Sequence, residues 1–92
     1  MDIKKLLAEY AELFSDGTEA HEAHVAGMFA VMRDLLDSIT AAPQRSDERE
    51  DLVGKFNRWL AFVQGILWSH ERRTVDQLRD ETRGIDAALR AL

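Results

Sequence analysis

Residues 46–69 read SDEREDLVGKFNRWLAFVQGILWS, and their spacing decides the fold class. Leu52, Val53, Phe56, Trp59, Leu60, Val63, Ile66 and Leu67 recur at intervals of three and four, the repeat of a helix with one apolar face. A half-buried strand would alternate with period two, and this segment does not. Ser46 is a suitable N-cap, because its hydroxyl oxygen can accept from an orphan amide of the first turn. Asp47, Glu48, Glu50 and Asp51 then lie against the positive end of the helix dipole. The pattern predicts a helix over about 47–69.

The same logic extends in both directions. Upstream, Val25, Met28, Phe29, Met32, Leu35, Leu36 and Ile39 form the stripe of a helix over about 18–41. Thr18 would cap it, and Pro43 stops it because proline cannot continue the hydrogen-bond ladder. Before that, Ile3, Leu6, Leu7, Tyr10, Leu13 and Phe14 predict a helix over about 2–15, with Asp2 as N-cap and Gly17 as a left-handed stop. Downstream, Thr74 and Gln77 have capping-box spacing. Val75, Leu78, Thr82, Ile85, Leu89 and Leu92 then make a coiled-coil-like seam, predicting a helix over about 75–91 that runs unbroken through Gly84. Short connections make successive helices antiparallel, so the expectation is an all-α, up-down four-helix bundle forming one domain over 1–92.

Composition agrees. The chain has 92 residues, 46% apolar and 32% charged, with a single proline, which suits a few long helices and not a disordered chain or a many-stranded fold. There is no cysteine, so a disulfide scaffold, a zinc ribbon and a thiol nucleophile are excluded, and a reducing cytoplasm fits. The N-terminal stretch meets acids by Glu9 and makes no signal-peptide core. The apolar-rich run from Trp59 to Trp68 contains Gln64 and is about half a membrane span, so no membrane association is expected.

The net charge of -5 is unevenly spread: residues 1–40 carry eight acids and three bases, whereas residues 41–92 carry nine of each. Glu9, Glu12, Asp16, Glu19 and Glu22 fall between Lys5 and Arg33 without an intervening base. Direct nucleic-acid binding through a basic face is therefore not expected. A partner with a basic or nucleic-acid-binding surface, a cation, or solubility alone would each account for the acids.

A second feature lies off the core stripes. Ala20, Ala23, Gly27 and Ala30 line one side of the second helix, and Gly54, Ala61 and Gly65 line the third, next to Trp68. In an antiparallel hairpin Gly27 would stand level with Ala61, and Ala23 with Gly65. Either these small residues face neighbouring helices inside the bundle, with Trp68 covering the first turn, or they form a surface for a partner or a homodimer.

Candidate chemistry is sparse. His21 and His24, with Glu19 and Glu22, could meet His70 at one end of the bundle and hold zinc or another transition metal. The spacing is neither H-E-x-x-H nor Glu-x-x-His, and a buried hydrogen bond from His21 accounts for it equally well. Glu9–Glu12 reads E-x-x-E and Glu48–Asp51 reads E-x-x-D, pairs that could hold magnesium. This arrangement resembles the MazG-type all-α nucleoside-triphosphate pyrophosphatases, though no basic residue accompanies the pairs at that family's usual place and the gap between them is long. Arg72, Arg73, Arg79 and Arg83 are interleaved with Glu71, Asp76, Asp80 and Glu81, so no helix-turn-helix recognition face forms.

The run from Asn57 to Trp68, NRWLAFVQGILW, followed by TVDQLRD from Thr74, resembles small phage and prophage proteins with an R-W-L-G-F-x-Q-G-x-L-W run and a T-x-D-E-L-R run. Ala61 and Gln77 depart from that pattern. The resemblance implies a phage or mobile-element accessory protein and supplies no catalytic residues. Asn57, Arg58 and Gln64 are polar residues here that packing does not explain. The expected function is a non-enzymatic protein, without a cofactor, that binds a protein partner and in one version inhibits a host defence complex. The expected surface comprises Asn57, Arg58, Ala61, Gln64, Gly65, Trp68, Ala23, Gly27, Glu12, Asp16 and Glu19. Magnesium or zinc enters only with the pyrophosphatase or histidine readings.

Overall fold

The computed structural model describes residues 1–14 and 19–92, with residues 19–25 described by their backbone alone. Four helices form: α1 (Ile3–Leu13), α2 (Glu19–Ala41), α3 (Asp47–Ser69) and α4 (Val75–Ala91). They pack as the expected all-α four-helix bundle, without a strand among the described residues.

The helix starts follow from their caps. The Asp2 carboxylate accepts from the Lys5 amide at 3.2 Å, and the Ser46 hydroxyl accepts from the Arg49 amide at 3.1 Å. Thr74 and Gln77 close the capping box, at 3.1 Å from the Gln77 amide to the Thr74 hydroxyl and 2.9 Å from the Thr74 amide to the Gln77 side chain. α1 ends at Leu13, two residues before the expected end, and Gly17 and Thr18 lie outside the described residues. α3 closes with a turn in which the Arg72 amide donates to Leu67 and the Glu71 amide to Trp68, at 2.9 and 3.0 Å. Glu71 takes φ 58° there, the left-handed position that glycine usually fills.

Cross-helix contacts set the directions. Lys4 pairs with Asp37 at 2.8 Å, Tyr10 meets Gln64 and Glu81, Gln64 meets Thr82, and Arg49 meets Leu92. α1 and α3 therefore run one way and α2 and α4 the other. The core they enclose is drawn from all four stripes, with Leu7, Tyr10, Met32, Ile39, Phe56, Val63 and Leu67 wholly buried.

α4 departs from expectation. Ile85 and Leu89 are buried, but Val75 is 45% exposed and Thr82 is also exposed. The lower half of the α4 seam meets the core. The upper half faces α3 across an open cleft, because Val75 has only Trp68 and Gln64 opposite it and neither fills the space. No helix among the described residues is long and apolar enough to cross a membrane.

α4 is continuous through Gly84, as expected. A Cβ at that position would run into the Met1 Cε methyl and stand 3.0 Å from its sulfur. Met1 is 63% exposed and its flexible end can move aside. Helix propensity favours alanine over glycine by about 1 kcal/mol, so Gly84→Ala is expected to gain about 0.5 kcal/mol. A thermal melt should rise by roughly 3 °C. A fall would mean that the Met1 contact outweighs propensity.

Candidate functional site

An open cleft with a mainly apolar lining runs between α3 and α4. Its upper part, about 470 Å³, is lined by Gln64, Trp68, Val75, Leu78, Arg79, Thr82 and Arg83. It continues into a lower part of about 320 Å³ that adds Asn57, Leu60, Ala61 and Asp86. From Val75 to Asp86 the helix rises about 16 Å, or three turns. Trp68 stands at the upper mouth, 57% exposed.

Beneath the cleft lies a polar cluster that joins three elements. The Tyr10 hydroxyl of α1 is held inside the bundle and donates to Glu81 Oε1 at 3.1 Å. It accepts from Gln64 Nε2 at 3.2 Å. Gln64 also exchanges hydrogen bonds of 3.1 and 3.2 Å with the Thr82 hydroxyl. Arg73, from the α3–α4 connection, brings its Nε to 3.3 Å from the same Glu81 oxygen. Its guanidinium also lies 5.9 Å from the Tyr10 ring centre. That Nε is buried and makes no hydrogen bond, so its contact with Glu81 is electrostatic only.

Burial pushes the Tyr10 hydroxyl up to about 12; the hydrogen bond from Gln64 opposes the rise, the Glu81 carboxylate adds to it, and the Arg73 charge opposes it more weakly. Tyr10 is therefore protonated throughout the neutral range. With both sides of its hydroxyl occupied, it clamps α1 to α3 and α4.

The expected site residues divide as follows. Asn57, Ala61, Gln64 and Trp68 gather along the cleft. Arg58 lies round the helix from them, with Lys55, Trp59 and Phe62. Gln64 is explained by its internal hydrogen bonds, so it is not a polar residue left over from packing. Gly27 and Gly65 are exposed, with nothing among the described residues within 4 Å of where a Cβ would stand. Of the two alternatives for the small residues, packing against a neighbouring helix inside the bundle is not met at these two glycines among the described residues, and Ala61 opens toward α4.

Glu12 is exposed on α1. Asp16 and the side chains of Glu19, His21, Ala23 and His24 lie outside the described residues. His70 caps the exposed C-terminus of α3. Among the described residues no group of three or more His, Asp or Glu is placed to hold a metal ion. The E-x-x-E and E-x-x-D pairs do not converge either. Tyr10, between Glu9 and Glu12, is level with Gln64, whereas Glu48 lies about 24 Å away along α3.

Two functional-looking groups were not foreseen. Arg49 is buried, although it sits one turn before Leu52 and Val53 on the core stripe, and that position was the available signal. The Tyr10–Glu81 bond joins residues 71 apart, and nothing local announces it. No protein-family model, curated protein or solved structure matches the chain.

Proposed function

We propose that this chain is a non-enzymatic binding protein that engages a partner protein through α3 and the cleft it forms with α4. The observation that carries this reading is Trp68, 57% exposed at the mouth of a cleft whose own apolar seam residue, Val75, is 45% exposed. Large apolar side chains grouped around a concavity are what binding anchors require, and tryptophan is prominent among residues that dominate binding energies. Beneath the cleft, Tyr10 and Glu81 are committed to each other and to Arg73.

The likeness of the Asn57–Trp68 run to phage proteins supports an accessory role in the cytoplasm, with inhibition of a host complex as one form of it. A basic partner was expected from the acids of residues 1–40, but the run from Asp16 to Glu22 is not among the described side chains. The described cleft instead presents arginines.

The test is affinity capture from lysate of the source cell, comparing the native chain with Trp68→Ala. Trp68 is on the surface, so the variant should melt within about 0.5 kcal/mol of the native chain. A specific partner should be retained by the native chain and lost at least about tenfold by the variant. Failure to retain any specific partner, or retention indifferent to Trp68, overturns the reading.

A further inference from the structure

We infer that the occupant of the α3–α4 cleft is an acidic amphipathic helix belonging to a different protein, an inference that rests on the binding reading above. α4 itself favours a helical occupant. Its seam repeats at alternating spacings of three and four from Val75 to Leu92; Ile85 and Leu89 are buried within the bundle and Leu78 and Leu92 are half-buried against its core, but Val75 and Thr82 are exposed. Val75, Leu78 and Thr82 carry the same repeat up the open part of the cleft, where Trp68 and Gln64 face them from α3. A seam of that period is completed by a helix whose side chains seat between them. The cleft also has the right length, since about 16 Å is three helical turns.

The charges that line the cleft favour an acidic one. Arg79 and Arg83 line the upper cleft, and no carboxylate does. Arg79 flanks the seam directly after Leu78 and has no ion-pair partner among the described residues. Arg83 lies 3.6 Å from Asp80, but both side chains are nearly four-fifths exposed, so this contact is weak and easily exchanged. Asp86, in the lower cleft, is already paired with Arg90 at 3.1 Å. In a molecule of net charge -5, the lining of the upper cleft beside Trp68 thus presents two guanidinium groups and no carboxylate. Carboxylates flanking the apolar stripe of an incoming helix would match it.

The same arginines argue against a second copy of this chain as the occupant. A twofold contact uses one patch on both subunits, so Arg79 and Arg83 would be gathered into one interface with their symmetry mates. Like charges brought together there would oppose the association.

The experiment pans a displayed library of helix-biased peptides of about 16 residues, some four turns, against the full chain. Enriched peptides should share an apolar i, i+3, i+4, i+7 stripe flanked by Asp or Glu. Trp68→Ala, and separately the double variant Arg79→Glu/Arg83→Glu, should each weaken them at least about tenfold. The charge reversal should also redirect selection toward lysine-flanked helices. Native-like circular dichroism of both variants excludes unfolding as the cause.

Enrichment of neutral or basic helices that still need Trp68 would overturn the acidic occupant and leave the binding reading standing. Helices indifferent to Trp68, or no enrichment at all, would overturn the cleft as their site, whatever the lysate capture shows. A dimer in light scattering that Trp68→Ala returns to monomer would overturn it in favour of a second copy.

Discussion

Arg49→Glu is expected to leave the chain largely unfolded at room temperature. Arg49 is 8% exposed at the end of the bundle where α2 turns into α3. Its Nη1 donates to the Ile39 carbonyl at 2.8 Å and to the Ala42 carbonyl at 3.4 Å, and its Nη2 donates to the Leu92 carbonyl. Two of these oxygens lie at the C-terminus of α2, where helix carbonyls lack intrahelical partners and a negative partial charge accumulates. The third belongs to the residue that follows α4. One guanidinium therefore closes two helix ends at once, which a planar group with five donors can do.

A glutamate there would remove the donors and place a buried anion against three carbonyl oxygens. The Leu92 oxygen would keep its bond from Gln44 Nε2 at 2.8 Å and the Ile39 oxygen its 3.3 Å bond from the Ala42 amide, so the Ala42 carbonyl is the one left without a described donor, at about 1–3 kcal/mol, and an unpaired buried charge adds several more. The total reaches about 5 kcal/mol, comparable with the whole stability of a domain this size. Arg49→Lys keeps the charge but not the fork and should lose about 1–2 kcal/mol; Arg49→Met keeps the apolar stem and should lose about 2–3 kcal/mol. Urea titrations followed by circular dichroism rank the three variants. A glutamate variant within about 1 kcal/mol of the native chain would show that the carbonyls find other donors or water.

Arg49 also marks the boundary of what could be read from residue order. The helices were legible where the period was reinforced by a cap or a stop: Ser46 with its stripe, Thr74 with Gln77, Pro43 after Ile39. Position 49 obeys the core period, but an arginine is read as surface until one knows that three carbonyls converge on it. Gln64 fails in the same way. It stands beside Val63 on α3, and its role depends on Tyr10 and Thr82, which lie 54 and 18 residues away.

The α4 seam misled in the opposite direction. A repeat shows that a helix has an apolar edge, not that its own chain supplies the other half. Val75 satisfies the repeat and remains exposed because α3 offers it Trp68 and an open space. Trp68 was legible as an off-stripe aromatic, whereas the arginines beside it become a rim only once α4 is laid along α3. The small residues carried the weakest signal, since exposed glycines and buried ones are written identically.

Tyr10→Ala is expected to cost about 4–5 kcal/mol, the second largest effect. The ring is wholly buried, and truncating a buried aromatic leaves a cavity worth about 3–5 kcal/mol, before the hydroxyl's partners are counted. Tyr10→Phe keeps the ring and removes only the hydroxyl, so Gln64 and Glu81 each lose a partner, at about 1–2 kcal/mol together.

The hydroxyl has a separate signature in alkali. Its folded pKa, about 12, lies above the ordinary tyrosine value of about 10. Below pH 10 both states keep the proton, and the contribution of the buried neutral phenol is present in full. Between pH 10 and 12 the unfolded chain has lost the proton while the folded chain holds it. The unfolded state then binds fewer protons, and stability must fall as pH rises. A displacement of two units corresponds to about 3 kcal/mol over that window.

Tyr10 is the sole tyrosine, so tyrosinate absorbance reports it alone. The absorbance should stay flat past pH 10 and rise near pH 12, or abruptly at whatever lower pH the fold gives way. The difference in stability between the native chain and Tyr10→Phe should shrink across the same window, and then change sign. A midpoint near pH 10 in a chain that is still folded would mean that water reaches the hydroxyl. The clamp between α1 and the α3–α4 pair would then be looser than its hydrogen bonds imply.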